Sequence, residues 1–372
     1  MDYSMGITHK SWAGFCFSFT VVWATVTHTA FSQENLNHLG LDLPGPDRIE
    51  FPEQIHTSEQ WSQQVANLHE RMQSVMGQID ENEKAAAPVP LEMIVMHQQV
   101  RNDIRFRKVQ YNLRNRHRMM AWLLTPVDAS ATNPIPAVLC LHQTNGSIGK
   151  DEPVGLLGNP ELQYALELSQ QGFATLSPDY PSFGEYEHSF RESPFVSGTM
   201  QAIVENRRAI DLLQSLPEVD GSKIACIGHS LGGHNAIFTA TFEPRIRAVV
   251  SSCGFTRFHR YMKGDLTGWT SDRYMPRIQS EYDSDPNQVP FDFPELIASL
   301  APRGFLAVAP QNDDNFEVKG VRESIAFATN AYAIFNAKDS LQANYPDAGH
   351  TFPKTSRSQA YQFIKQQLAK SP

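Results

Sequence analysis

At 372 residues, with ordinary hydrophobic and charged content, the chain can build one large core or a core with a small appendage. Its 31 Lys and Arg against 40 Asp and Glu leave a net charge of −9, a mild acidity that disfavours nucleic acid and anionic membranes as partners.

The N-terminus has the layout of an export signal. Lys10 supplies positive charge, residues 12–27 are uncharged and mostly apolar, and Ala30 and Ser32 flank Phe31, which suits cleavage before Gln33. Residues 1–32 are therefore read as a signal peptide and the mature protein as exported, periplasmic or extracellular. A retained anchor is the alternative, although the apolar run is short for a membrane span, and no stable membrane insertion is expected after cleavage. Cys140, Cys226 and Cys253 then remain, an odd number that does not make a disulfide framework. Cys140 and Cys226 lie in apolar runs and read as small core residues. His229 and His234 stand five apart, not the four that puts two ligands on one helical face, and no metal or cofactor is implied.

Residues 33–103 read as an N-terminal segment with a helix over 59–79, its apolar face formed by Trp61, Val65, Leu68, Met72 and Met76, followed by a linker over 85–90. Residues 104–113 and 118–124 predict antiparallel strands around a turn at Asn115. From residue 136 strands and helices alternate. Strands are predicted at 137–141, 173–177, 223–227, 246–251, 305–309 and 341–345. Helices are predicted at 161–171, 196–216, 231–242, 318–335 and 356–369. This alternation implies an α/β fold, a doubly wound and mostly parallel sheet over 104–372, with sites outside the carboxyl ends of its strands. Residues 254–300 break the pattern and read as an inserted cap.

Gly228-His229-Ser230-Leu231-Gly232 fits G-x-S-x-G between a predicted strand and a predicted helix, the nucleophile elbow. A tight strand-to-helix turn lifts the serine oxygen clear of the backbone. The same turn crowds positions 228 and 232, where only glycine has no Cβ to clash. A serine needs a base, and the base an orienting acid. His350 follows the last predicted strand, just before the last helix, and is the candidate base. The acid should follow the preceding strand, where Asp313 and Asp314 both stand. Asp313 is placed first, Asp314 is the alternative, and Asp347 ranks third. The unused aspartate is expected to cap the turn. Two backbone N–H groups should stabilise developing negative charge, from Leu231 after the nucleophile and from Gln143 after the 137–141 strand. The His142 side chain is expected to brace that loop.

Leu139 to Thr144, Ser177 to Gly184, Gly228 to Gly233, Asp313 and Gly349-His350 together resemble the α/β-hydrolase superfamily. Within it the chain is similar to the dienelactone hydrolase-like group and to acetyl xylan esterase-like proteins, with prolyl-oligopeptidase catalytic domains as neighbours. Pro217 to Ile224 and Ala301 to Arg303 carry the same likeness, which covers residues 104–370. It implies ester hydrolysis by acylation of Ser230, with Asp313 as acid, His350 as base, and Leu231 and Gln143 at the oxyanion positions. Two departures stand out. The nucleophile position holds serine where dienelactone hydrolases often have cysteine, and Gln143 stands where many relatives have glycine. The leading segment is too short for the β-propeller that restricts oligopeptidase substrates.

The predicted cap mixes Phe258, Tyr261, Trp269, Tyr274, Phe291 and Phe293 with Arg257, Arg260, Lys263, Arg273 and Arg277. Most of these rings should pack inward, and any that face the site would suit a sugar or aryl ester. The loop 149–152 is a second candidate for substrate contact. The leading expectation is an exported serine esterase acting on small-molecule or carbohydrate esters. A peptidase or amidase with the same triad and a non-catalytic binding protein on this scaffold are the alternatives.

Overall fold

The computed structural model describes residues 50–79, 89–113 and 117–370. The leader read at 1–32 and the turn read at Asn115 lie outside them. Among the described residues no helix is long and apolar enough to cross a membrane.

The chain's apolar runs line up in one nine-stranded sheet. Its strands are β1 Ile94–Arg101, β2 Ile104–Asn112, β3 Arg118–Pro126, β4 Ile135–Leu141, β5 Ala174–Pro178, β6 Val219–His229, β7 Ile246–Ser252, β8 Gly304–Val308 and β9 Leu341–Asn344. They lie in the order β1-β2-β3-β5-β4-β6-β7-β8-β9. The pairs β1–β2, β2–β3 and β3–β5 are antiparallel, and all the others are parallel.

The central strands are buried on both faces, as a parallel sheet requires, and their alternate residues feed two separate cores. Leu139, Cys226, Val249 and Phe305 point into one. Val138, Ile227, Val250 and Leu306 point into the other. The first core is covered by helices α1 Ser58–Met76, α3 Gly198–Ser215, α4 Leu231–Phe242, α5 Phe293–Ser299 and α6 Val318–Ile334. The second is covered by α2 Tyr164–Ser169 and α7 Lys354–Ala369. This is the expected doubly wound α/β fold.

One expectation needs revision. The sheet begins at Ile94, ahead of the boundary read at residue 104. β1 is an edge strand whose residues are almost all exposed, so it carries no inward-outward alternation for sequence reading to find. The N-terminal helix α1 packs on the main body. A capping box between Thr57 and Gln60 starts it, and Arg71 ties it down by bonding the Pro290 carbonyl (2.6 Å) and Glu295 (2.8 Å). In the segment 254–300 most of the rings pack inward, as expected. Trp269, Phe291 and Phe293 are buried against Phe238 of α4, and Phe258 packs behind them on Phe291. Arg257 and Arg260 spend their charge on Glu323 (3.0 and 2.9 Å).

One row of the sheet positions the site. His229, Ser252, Val308 and Asn344 are in register across β6, β7, β8 and β9. The loops that leave these strand ends carry Ser230, Cys253, Asp313 and His350 to the same edge, as the carboxyl-end rule for such sheets anticipates.

Candidate active site

Ser230 joins β6 directly to α4, with φ 53° and ψ −118°. This is a strained conformation for a residue with a Cβ, and such strain concentrates at functional sites. It is held from both sides: the Ser230 N–H donates to the Ser252 carbonyl (2.8 Å), and the Gly233 N–H donates to the Ser230 carbonyl (2.8 Å). The glycine argument holds in detail. A Cβ on Gly228 would stand 2.1 Å from the Gly232 carbonyl oxygen, and one on Gly232 would stand 1.9 Å from that of Leu141. The second clash shows how closely the β4 loop packs on the start of α4.

That packing brings the two expected oxyanion donors to one place. Leu231 is the first residue of α4, where backbone N–H groups have no intrahelical partner and the helix dipole favours negative charge. Gln143 follows His142 in the β4 loop. Among the described residues neither the Leu231 nor the Gln143 N–H has an acceptor in the protein. His142 braces this loop, as expected. Its Nε2 accepts from the Tyr180 N–H (2.9 Å), so Nδ1 carries the proton and donates to the Gln143 carbonyl (2.6 Å). Burial pushes its pKa down, which keeps the ring neutral. The Gln143 side chain is drawn off to Glu152 (3.2 Å).

Of the three candidate acids, Asp313 is the one that reaches His350. His350 Nδ1 lies 3.0 Å from both carboxylate oxygens of Asp313. Asp314 is exposed, and Asp347 bonds Asn312 Nδ2 instead (2.8 Å). Turn capping was expected of the unused aspartate, yet Asp313 does both jobs: its Oδ1 also accepts from the N–H groups of Asn315 (2.9 Å) and Phe316 (3.1 Å). Burial opposes ionisation of Asp313. The His350 hydrogen bond, the His350 charge and the two N–H donors outweigh that penalty and hold the carboxyl below its ordinary value.

Two neighbours escaped sequence reading. The His229 ring lies 5.1 Å from the His350 ring and stacks parallel to Phe352, with Nδ1 on the Ser252 hydroxyl (3.0 Å). Burial lowers its pKa to about 3, so it braces the base as a neutral ring. Cys253 lies against the Asp313–His350 pair. Its one sequence signal was its place at the end of a strand, like Ser230.

The 149–152 loop turns its charged side chains inward. Lys150 is buried in ion pairs with Asp179 (2.6 Å) and Glu185 (2.8 Å), and Asp151 accepts from the Trp122 indole (2.6 Å). Asp179 can sit there because Gly149 and Gly184 have no side chains: a Cβ on either would stand 2.2 Å from its Oδ1. Of the cap residues, Tyr274 reaches the oxyanion loop and Arg273 covers a ring that packs on it. The Tyr274 hydroxyl lies 3.4 Å from that of Thr144, and Arg273 covers the Phe183 ring at 4.5 Å. Phe316, Tyr261 and Trp269 continue an aromatic wall away from His350.

Glu205 of α3 is buried beneath the oxyanion loop, where it accepts from the Tyr186 hydroxyl (2.6 Å) and Gln201 (2.9 Å). Burial raises its pKa to about 7, so the folded state holds a proton that the unfolded chain releases near 4.5. The resulting stability is complete below the unfolded value and is lost as pH rises through 7. Between pH 5 and pH 8 the loss should be roughly 2–3 kcal/mol. Glu205→Gln should therefore gain that much on wild type over the same interval in urea unfolding. Parallel curves for the two proteins would refute the assignment.

Comparison with known proteins fits this geometry. The model of the prolyl oligopeptidase family matches residues 160–371, more than half of the chain. The chain belongs to that family, and so to the α/β-hydrolase superfamily. It is 25% identical over 246 residues to YtaP of Bacillus subtilis (strain 168), covering 63% of this chain and 79% of YtaP. Among solved structures it resembles a glucuronoyl esterase from Solibacter usitatus, with a TM-score of 0.68 and 17% identity over 88% of this chain and 98% of that one. It also resembles an acetyl xylan esterase from Paenibacillus sp. R4, with a TM-score of 0.54 and 17% identity over 90% and 99%.

Proposed function

We propose that the protein is an exported serine hydrolase that cleaves carboxylic esters, with acylated carbohydrate as its substrate class. The observation that carries this is the two-oxygen approach of Asp313 to His350 Nδ1, at the strand edge where Ser230 stands on its elbow. In this reading His350 Nε2 takes the Ser230 proton as Oγ bonds to the ester carbonyl carbon. The Leu231 and Gln143 N–H groups bind the oxyanion. The intermediate collapses, the alcohol leaves with the proton from His350, and water then releases the acid by the same steps. Carbohydrate is supported by the fold shared with the glucuronoyl and acetyl xylan esterases and by Tyr261, a partly exposed ring seated on Phe316 beside His350. Export is supported by Lys10, the apolar run 12–27 and the small residues at 30 and 32.

The family match favours a second reading, an amidase or peptidase built on the same triad. The two separate on paired substrates with one acyl group, a nitrophenyl ester and the matching nitroanilide. The ester reading predicts a kcat/KM at least about 100-fold higher for the ester at each chain length, with acetyl best. Equal or faster anilide cleavage would overturn it.

A further inference from the structure

Cys253 follows β7 as Ser230 follows β6. Its φ of 47° is in the left-handed region, fixed by its N–H on the Val308 carbonyl (2.9 Å). The turn swings the thiol against the Asp313–His350 pair, and its Sγ lies 3.3 Å from the Thr351 carbonyl. One donor atom each from Cys253, Asp313 and His350 lies within 4.8 Å of the other two, and the carboxylate–imidazole pair is already at 3.0 Å. A thiolate, a carboxylate and an imidazole are the donor types that zinc takes. A tetrahedral zinc ion with bonds of about 2.0–2.3 Å needs donors roughly 3.5 Å apart, so modest side-chain shifts complete the site. His350 is a quarter exposed and gives the ion a way in, while Cys253 and Asp313 form the buried floor.

The geometry points to a zinc site made by Cys253, Asp313 and His350, whose occupation switches the hydrolase off. Binding displaces one proton to solvent, from the thiol; His350 coordinates through Nδ1 as the neutral tautomer that carries its proton on Nε2, and water fills the fourth position. No electrons move. The ion then holds His350 by the nitrogen that Asp313 orients, and takes the carboxylate that stabilises the imidazole cation. The ring can no longer act as a base for Ser230. The switching half of this inference rests on the serine hydrolase reading, whereas the binding half does not.

The test uses the full exported chain and two probes. Cobalt(II) chloride reports binding through the near-ultraviolet absorption of a cobalt–thiolate bond. Zinc chloride reports switching through hydrolysis of nitrophenyl acetate. The expected result is one cobalt per chain with a thiolate band, displaced by zinc, and hydrolysis that falls as zinc binds and returns with a chelator. Cys253→Ser should hydrolyse as wild type does without metal, show no thiolate band, and need at least about tenfold more zinc for the same inhibition. Cys253→Ala serves if the serine variant does not fold, and the cobalt band of the wild type needs no variant. Absence of the thiolate band at stoichiometric cobalt would overturn the proposal, as would equal zinc sensitivity of wild type and variant. A thiolate band in a protein that hydrolyses no ester would retain the site and refute the serine hydrolase reading.

Discussion

Ser230→Ala is expected to lower kcat for ester hydrolysis by about 10⁵- to 10⁶-fold while leaving the protein folded. The fold should survive because the backbone bonds of the elbow, from Ser230 N–H to Ser252 and from Gly233 to the Ser230 carbonyl, do not involve the side chain. Alanine fits the same φ of 53° no worse than serine. The rate should fall so far because the acyl-enzyme cannot form without Oγ. What remains should be the modest acceleration from substrate binding and the Leu231 and Gln143 donors. Stopped assays at high enzyme concentration, with circular dichroism to check the fold, would measure both. A loss below about 100-fold would mean that another group supplies the nucleophile.

The second large effect concerns the acid. Asp313→Asn should cost about 10⁴-fold in kcat, because an amide offers His350 Nδ1 a competing donor and cannot stabilise the imidazole cation. Asp314→Asn should stay within about twofold of wild type, since that side chain is exposed and away from the ring. The pair tests the choice between adjacent aspartates directly. Because Asp313 also caps the turn through Asn315 and Phe316, its asparagine variant keeps an acceptor there and should stay folded. A large loss at Asp314 with little at Asp313 would reverse the assignment.

Much of this was legible in the residues. Strands β4 to β9 announced themselves because a parallel sheet buried on both faces demands short unbroken apolar runs. The elbow was legible because its crowding admits only glycine at 228 and 232. Chain order then pointed to Asp313 and His350. What escaped lay where solvent or long-range packing decides. β1 faces water and shows no pattern. The Lys150–Asp179 pair joins residues 29 apart through a turn that only Gly149 and Gly184 permit, so a charged loop that read as a candidate for substrate contact is a buried brace. The cap arginines read as substrate binders because their carboxylate partners, such as Glu323, lie on a helix more than 60 residues away. His229 and Cys253 reach the site through backbone turns at strand ends, and side-chain direction there is not encoded in any periodicity.

The most direct test of the central claim is covalent. The folded chain is treated with a fluorophosphonate, and the adduct is weighed intact and then mapped by peptide. The account predicts one phosphonyl group per chain, carried by Ser230, and none on Ser230→Ala. A folded protein that takes no label, or takes it on another residue, would contradict the claim that Ser230 is the nucleophile of this site.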